Sequence, residues 1–419
     1  MGEIPDMNPS RFRFICIVLS ATMVFFGGVS VRGADWPGWL GPERNNSSNE
    51  IIMPWQGDLK ASWKISVGEG HSSPVVYRDQ VFLHFKTPGK EAETLICVSL
   101  KNGYKVWEKS LDRDLFSNTF GNGPRATPAV FGGNIYTHGA SGQIACHSII
   151  DGKLIWKRNL LKDFDGKNLY FGVSASPLIF RDQLLIPVGG KESGIVALNL
   201  SNGETLWKTL DDRATYSSPI ILDDNILFLS QKGLQAVGLP GGGIKGHFPL
   251  VDKLNESATT PVATPHGVFV SSVTYGGAFV NKKEGPDFLR PVWKNASLSC
   301  YFSTPVPSLS GDEIYMVTGS IFPPPSSTLQ CVDTKTGAVL WKRPKTGKYH
   351  AALLRLGNGN MLVVDDFGNL RLFRCNREKF DELAASQICG ATWAHPALAG
   401  GILVIRDELE LLAVKLPVK

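Results

Sequence analysis

Apolar residues in this chain fall in short runs broken by tight polar turns, and one arrangement of runs recurs. Ile195 to Leu198 meets a Ser-Asn-Gly turn, and a second run follows with a Trp four residues after the Gly. Asn-Gly between two strand-like runs predicts a hairpin, because Gly accepts the positive φ of a tight turn. The arrangement repeats with the same Gly-to-Trp interval at Gly103/Trp107, Gly152/Trp156, Gly203/Trp207 and Gly337/Trp341. A repeat of this kind governs the whole architecture.

A second marker precedes the first: Ser or Thr, then Pro, then an apolar strand, a turn and another strand. Its copies are Ser73-Pro74, Thr127-Pro128, Ser176-Pro177, Ser218-Pro219, Thr260-Pro261, Thr304-Pro305 and His395-Pro396, at intervals of 54, 49, 42, 42, 44 and 91. Halfway through the last interval, Ala351-Ala352 opens a strand–turn–strand unit without the Pro, which makes eight units of about 45 residues. Four short strands per unit predict an all-β, eight-bladed β-propeller. The last unit supplies three strands, and Ala61 to Val67 supplies the fourth, so the N-terminal strand closes the last blade and removes an open edge. Trp63, Trp107, Trp156, Trp207, Trp293 and Trp341 are expected to pack between neighbouring blades. Two units, Leu239 to Leu250 and Phe380 to Gln387, counted as the fifth and eighth, lack the Trp.

The division expected is a signal peptide at 1–34, an N-terminal extension at 35–60 and the propeller at 61–419. Arg11 and Arg13 precede the apolar stretch Phe14 to Val31, with cleavage after Ala34 or, alternatively, after Ser30. An uncleaved membrane anchor is the other reading of that stretch. Cys16 lacks the small residues of a lipoprotein site. The chain of 419 residues is 43% hydrophobic, ample for a large core, and its net charge of +5 carries no basic block, which argues against nucleic acid. A monomer is expected. Of the other six cysteines, Cys97, Cys146 and Cys331 each stand six residues before the turn Gly, where Ala197 stands in the third copy, and read as small core fillers. Whether Cys300, Cys375 and Cys389 pair stays open.

Eight repeats of this form, six of them opened by Ser/Thr-Pro, resemble the pyrroloquinoline-quinone-type propeller family. Its Trp-docked blades occur in quinoprotein alcohol dehydrogenases and in the outer-membrane-assembly scaffold BamB. The opening Asp35-Trp36-Pro37-Gly38-Trp39-Leu40-Gly41-Pro42 is similar to the N-terminal stretch of secreted members. The resemblance implies fold over 35–419 and leaves function between a scaffold and a dehydrogenase.

Connections from the fourth strand to the next first strand share one face with the second-to-third loops, and this face carries the length variation. Two long loops, Asp112 to Pro124 and Leu161 to Val173, bring Phe116, Phe120, Phe164, Tyr170 and Phe171 to one sector, and the run Phe322 to Pro325 lies on the same face. Exposed aromatics there predict a partner or ligand surface; the alternative is that the loops cap the propeller with their own aromatics. The residue three before each Pro, namely His71, Arg125, Ser174, Tyr216, Ala258, Phe302, Tyr349 and Trp393, should ring the mouth of the central channel. A ring of aromatics and cations could hold a planar or anionic ligand. It contains no carboxylate, and the resemblance transfers neither the dehydrogenases' general base, nor their calcium ligands, nor their vicinal disulfide onto this chain. Asp163-x-Asp165-Gly166-x-Asn168 begins like a calcium loop but has Gly at the wrong place and Ser174 where the closing Glu would stand. His71, His350 and His395 occupy different registers, which argues against a joint metal site.

No catalytic residue, metal site or cofactor is therefore expected. The chain reads as an exported, periplasmic or secreted scaffold for an envelope protein partner or small ligand, touching membrane only through an uncleaved N-terminal segment. A dehydrogenase using pyrroloquinoline quinone with calcium is the alternative.

Overall fold

The computed structural model describes Met1, Gly2 and residues 35–419 except 284 and 321–323. The signal-peptide reading, Cys16, Phe322 and Pro323 lie outside the described residues. Eight four-stranded antiparallel sheets form, seven from consecutive strands: residues 75–112, 129–159, 178–209, 220–249, 262–295, 306–344 and 351–387. The eighth takes Ala397–Ala399, Ile402–Arg406 and Glu410–Lys415 from the C-terminus and Ala61–Ser66 from the N-terminus. Lys64 and Ile65 lie opposite Leu412 and Leu411 in that closing pair. The chain is an eight-bladed propeller, with a single four-residue helix, Leu160–Asp163, among the described residues. No helix among them is long and apolar enough to cross a membrane. The two units without a Trp are the fourth and seventh blades, not the fifth and eighth, once blades are numbered from Val75.

Each docking Trp lies on the turn of the next blade. The Trp63, Trp107 and Trp156 indoles donate to Leu100, Ile149 and Leu200 carbonyls at 2.8, 3.0 and 2.9 Å, and Trp293 and Trp341 to those of Thr334 and Asn376 at 2.7 and 3.0 Å. Trp207 differs in donating to the Gln183 side chain, at 3.0 Å. The turn Gly is obligatory for a second reason besides its φ of +74° at Gly203: a Cβ there would stand 2.7 Å from the Trp156 ring. Cys97, Cys146 and Cys331 are fully buried opposite Trp107, Trp156 and Trp341, as Ala197 is opposite Trp207. All six described cysteines are free thiols.

The extension at 35–60 crosses one end of the channel, where the first-to-second strand turns lie. Trp36 exchanges both backbone bonds with Val76 of blade 1, and the Pro37 carbonyl accepts from Val130 of blade 2 at 2.8 Å. Ser48 and Asn46 then pair with Arg355 of blade 7, and Met53 with Pro417 beyond blade 8. Between these anchors Arg44 reaches up the channel and donates to the carbonyls of Pro177 at 2.8 Å, Pro219 at 3.0 Å and Ser176 at 3.3 Å. Burial brings its pKa down to about 9.

Candidate functional site

The Ser/Thr of the Ser/Thr-Pro marker links one blade to the next. The N–H of His395 donates to Ser73 Oγ at 2.9 Å, that of Ser73 to Thr127 Oγ1 at 3.3 Å, and that of Thr127 to Ser176 Oγ at 2.9 Å. Ser176 continues to Ser218 at 2.9 Å, and Thr260 to Thr304 at 3.2 Å. These bonds run around the channel and tie down N–H groups that the sheets leave unpaired, since an orphaned buried donor is costly. They fix the height of the residues two positions upstream.

Those residues form a ring. His71, Arg125, Ser174, Tyr216, Ala258, Phe302 and Trp393 line one chamber of about 110 Å³, together with Trp39, Phe120, Phe171, Ser218 and His395. Trp39 enters from the extension below, donates to Thr260 Oγ1 at 2.9 Å and meets His395 edge-on at 4.6 Å. Tyr349, the eighth ring residue, stands outside the chamber against Trp393 at 6.0 Å. Above, the aromatics pack into one stack. Trp393 lies between Phe302 and His71, each 5.2 Å away, and Phe120 bridges from Trp393 at 6.3 Å to Phe171 at 5.5 Å. Phe171 continues to Tyr170 at 4.9 Å and to Tyr216 at 5.5 Å.

The ring's cations are engaged internally. Burial holds His71 down to a pKa of about 4, so the neutral imidazole donates from Nε2 to the Phe120 carbonyl at 2.8 Å. Arg125, expected to present a charge to a ligand, instead donates to the carbonyls of Gly123 at 2.6 Å, Gly121 at 2.8 Å and Phe120 at 3.4 Å. Its guanidinium also covers Phe116 at 5.4 Å. Phe116 itself is buried, at 9% exposure, and is no docking residue: it fills the space beneath its own loop. Capping by the loops' own aromatics thus describes Phe116, Phe164 and Phe171, whereas Phe120 and Tyr170 remain 47% and 65% exposed.

A buried ion pair sets the pose of the first long loop. Arg113 donates to Glu93 Oε1 at 2.8 Å and to the Asn122 and Phe116 carbonyls at 2.6 and 3.3 Å. Glu93 also accepts from the Ala140 N–H at 3.0 Å and faces His84 Nε2 at 3.4 Å. Breaking such a pair from one side leaves a buried charge and costs about 3–5 kcal/mol. Arg113→Met is expected to lower stability by that amount and to release the loop to proteolysis, read by urea titration and by limited digestion at 112–124. An unchanged digestion pattern would remove the clamp from the account.

The chamber does not fit a calcium-bound pyrroloquinoline quinone. Its lining holds no carboxylate, Arg125 is occupied by carbonyls, and about 110 Å³ falls below the roughly 300 Å³ of ordinary small-molecule sites. Asp163 pairs with Arg158 at 2.7 Å and Asn168 with the Ala140 carbonyl, so the calcium-like motif forms no shell. No group of three or more His, Cys, Asp or Glu among the described residues is placed to hold a metal. His350 and His395 do meet, with rings 5.2 Å apart, but His71 turns away to Trp393.

A wider groove of about 590 Å³ opens beside the stack. Phe120, Trp393, Tyr349, Phe367 and Leu409 give it apolar walls, and Glu69, Lys348 and Glu408 rim it. Phe367 and Leu409 are exposed and were not singled out in the sequence; nor were Trp39 and Tyr301, which stacks on Phe302 at 3.7 Å. Leu409 stands in a hairpin turn where an apolar residue has no packing reason, and that was the available signal.

Blade geometry, docking tryptophans and closure make an eight-bladed β-propeller similar to those of the pyrroloquinoline-quinone-like class. Residues 56–244 match the family model described as outer membrane protein assembly factor BamB. BamB of Yersinia pestis is 24% identical over 188 residues, which span 42% of this chain and 43% of that protein. BamB of Moraxella catarrhalis superposes with a TM-score of 0.61 at 14% identity, covering 87% of this chain and 98% of that one. The quinohemoprotein alcohol dehydrogenase of Comamonas testosteroni gives 0.66 at 10% identity over 91% and 80%, and a europium-containing methanol dehydrogenase 0.66 at 12% over 91% and 89%. The structural likenesses show the fold, an eight-bladed β-propeller, and over residues 56–244 the sequence is similar to BamB, of which the chain spans less than half the length in the curated relative matched.

Proposed function

We propose that this protein is an exported scaffold of the cell envelope that binds a protein partner through the groove beside the aromatic stack, without catalysis of its own. One observation carries the reading: Phe120, Phe367 and Leu409, between 47% and 74% exposed, converge on one groove with a charged rim. Apolar surface gathered in this way is the mark of a protein-binding site, with aromatic anchors at the centre and polar residues around them. Likeness to an assembly factor supports a protein partner over a small ligand. A tagged mature chain, crosslinked in envelope fractions, is expected to capture a discrete partner that Phe120→Ala/Phe367→Ala/Leu409→Ala loses by tenfold or more. Equal capture by the triple variant would sink the assignment of the groove.

The dehydrogenase fold of two superposable structures supports a second reading, a quinone-dependent oxidoreductase. Titration with pyrroloquinoline quinone and calcium, followed by Trp fluorescence, separates the two. Saturable quenching, lost on changing Trp393, would favour the enzyme; a flat titration is expected.

A further inference from the structure

At the opposite end of the channel, the strand register leaves a row of backbone groups facing a cavity. In blades 1 to 4 a two-residue turn closes on Tyr77–Gln80, Phe131–Asn134, Phe180–Gln183 and Leu222–Asn225. Antiparallel pairs alternate between bonded and non-bonded, so the preceding residues Val76, Val130, Ile179 and Ile221 turn their backbone N–H and C=O away from the neighbouring strand. In blade 5 the bond from Thr264 N–H to the Gly267 carbonyl gives Ala263 the same position.

The extension uses the first two of these positions. Trp36 takes both groups of Val76, at 2.8 and 2.9 Å, and Pro37 takes the N–H of Val130 at 2.8 Å. Its backbone then makes no pair with blades 3 to 5, which it touches through side chains alone (Arg44, which lines the cavity and donates to the Ser176, Pro177 and Pro219 carbonyls, and Trp39, which donates to Thr260), and it pairs with the blades again at Arg355. Among the described residues no bond to the N–H or C=O of Ile179, Ile221 or Ala263 is found beyond their sheets. These three residues line a cavity of about 440 Å³, walled by Pro177, Leu178, Ile220, Pro261 and Val262 and closed on one side by the extension.

We propose that blades 3 to 5 at this end are a second docking site, which takes an extended, apolar, proline-bearing segment of another protein by backbone pairing. The chain's own Trp36-Pro37, seated on the matching positions of blades 1 and 2, shows the chemistry of the occupant. Pairing on free strand groups supplies affinity, and the apolar walls supply selectivity. Blade 6 bounds the site: Pro307 stands at the matching position with no N–H to offer, and its carbonyl accepts from Arg355 Nη1 at 2.9 Å. The site lies on the face opposite the groove of the proposed function and does not depend on it.

Pro307 also provides the test, since the fold accommodates proline at that position. A fluorescein-labelled peptide copying residues 35–42 is titrated against the mature chain and followed by anisotropy. Saturable binding is expected, weakened at least tenfold in Ile179→Pro/Ile221→Pro with far-ultraviolet circular dichroism unchanged. Hydrogen exchange on the unsubstituted protein reads the site without relying on the variant: the amides of Ile179, Ile221 and Ala263 should slow when the peptide is added. Three results would each overturn the proposal: no saturable binding up to about 1 mM peptide, binding that the double variant retains, or slowing confined to Val76 and Val130, where the peptide would merely be replacing the extension.

Discussion

Between pH 6.5 and pH 4 this propeller is expected to lose much of its stability. His138, His147 and His350 are at most 2% exposed, and burial is the largest cause bringing each pKa to about 4. The hydrogen bond to the Ala175 carbonyl and then the Glu93 charge raise His138 and His84 lowers it, without changing the direction. The unfolded chain titrates these imidazoles near 6.5, so it binds protons across a window in which the folded chain does not. Stability from these groups is therefore full above pH 6.5, falls as pH drops, and levels off below 4. Three such groups all act in the same direction, against a net stability that is small for any domain. The thermal midpoint, followed by circular dichroism from pH 7.5 to 4.5, should fall steeply; a constant midpoint would contradict neutral buried histidines. His147 supplies the control. Neither of its ring nitrogens has a hydrogen-bond partner among the described residues, so His147→Leu should remove its own share of the pH dependence, leaving that of His138 and His350, at little cost near neutrality.

Trp156→Ala is expected to destabilise the fold by about 3–5 kcal/mol, the range for emptying a buried aromatic site. The ring is 9% exposed, lies 6.1 Å from Tyr136, covers Gly203 of the next blade and donates to the Leu200 carbonyl. Its loss opens a cavity between blades 2 and 3 and leaves the Leu200 carbonyl to the Tyr136 hydroxyl, 3.2 Å away, as its side-chain donor. Gly203→Val should act from the other side of the same contact, through both its φ and the ring it would strike. Trp207 is half-buried and donates to a side chain, so Trp207→Ala should cost clearly less. Urea titration of the three variants tests the ordering, and equal losses at 156 and 207 would mean that neither the burial of the ring nor the backbone acceptor of the indole sets what an interblade Trp contributes.

Much of the architecture was readable because it rests on local rules repeated in series. The Asn-Gly turn needs positive φ, the Trp four residues on meets the preceding strand, and strand alternation has a fixed period, so Gly203 and Trp207 announce a hairpin wherever they recur. Cys97, Cys146 and Cys331 were legible as core fillers for the same reason. The ring was legible in part. A constant offset from Pro put His71, Arg125 and Trp393 at one height, yet no offset says where a guanidinium points. Arg125 faces the carbonyls of its own loop because that loop, held by Arg113 and Glu93, brings them within reach, a contact that spans blades 1 and 2. Phe116 went the same way: loop length predicted an exposed aromatic, and packing beneath Arg125 buried it.

The sequence by itself determined the number of blades, their strand order and the closure by Ala61–Ser66, since those follow from local turn chemistry and from the need to leave no bare edge. The tertiary structure alone decided how the channel is filled. The extension has no repeat, and its internal bonds are those of short turns such as Asn46 N–H to the Leu40 carbonyl, so nothing local told Trp39 to rise into the chamber or Trp36 to pair with Val76. Those contacts join residues distant in the chain, and they exist only once eight blades have closed and their innermost strands offer unpaired groups around one axis.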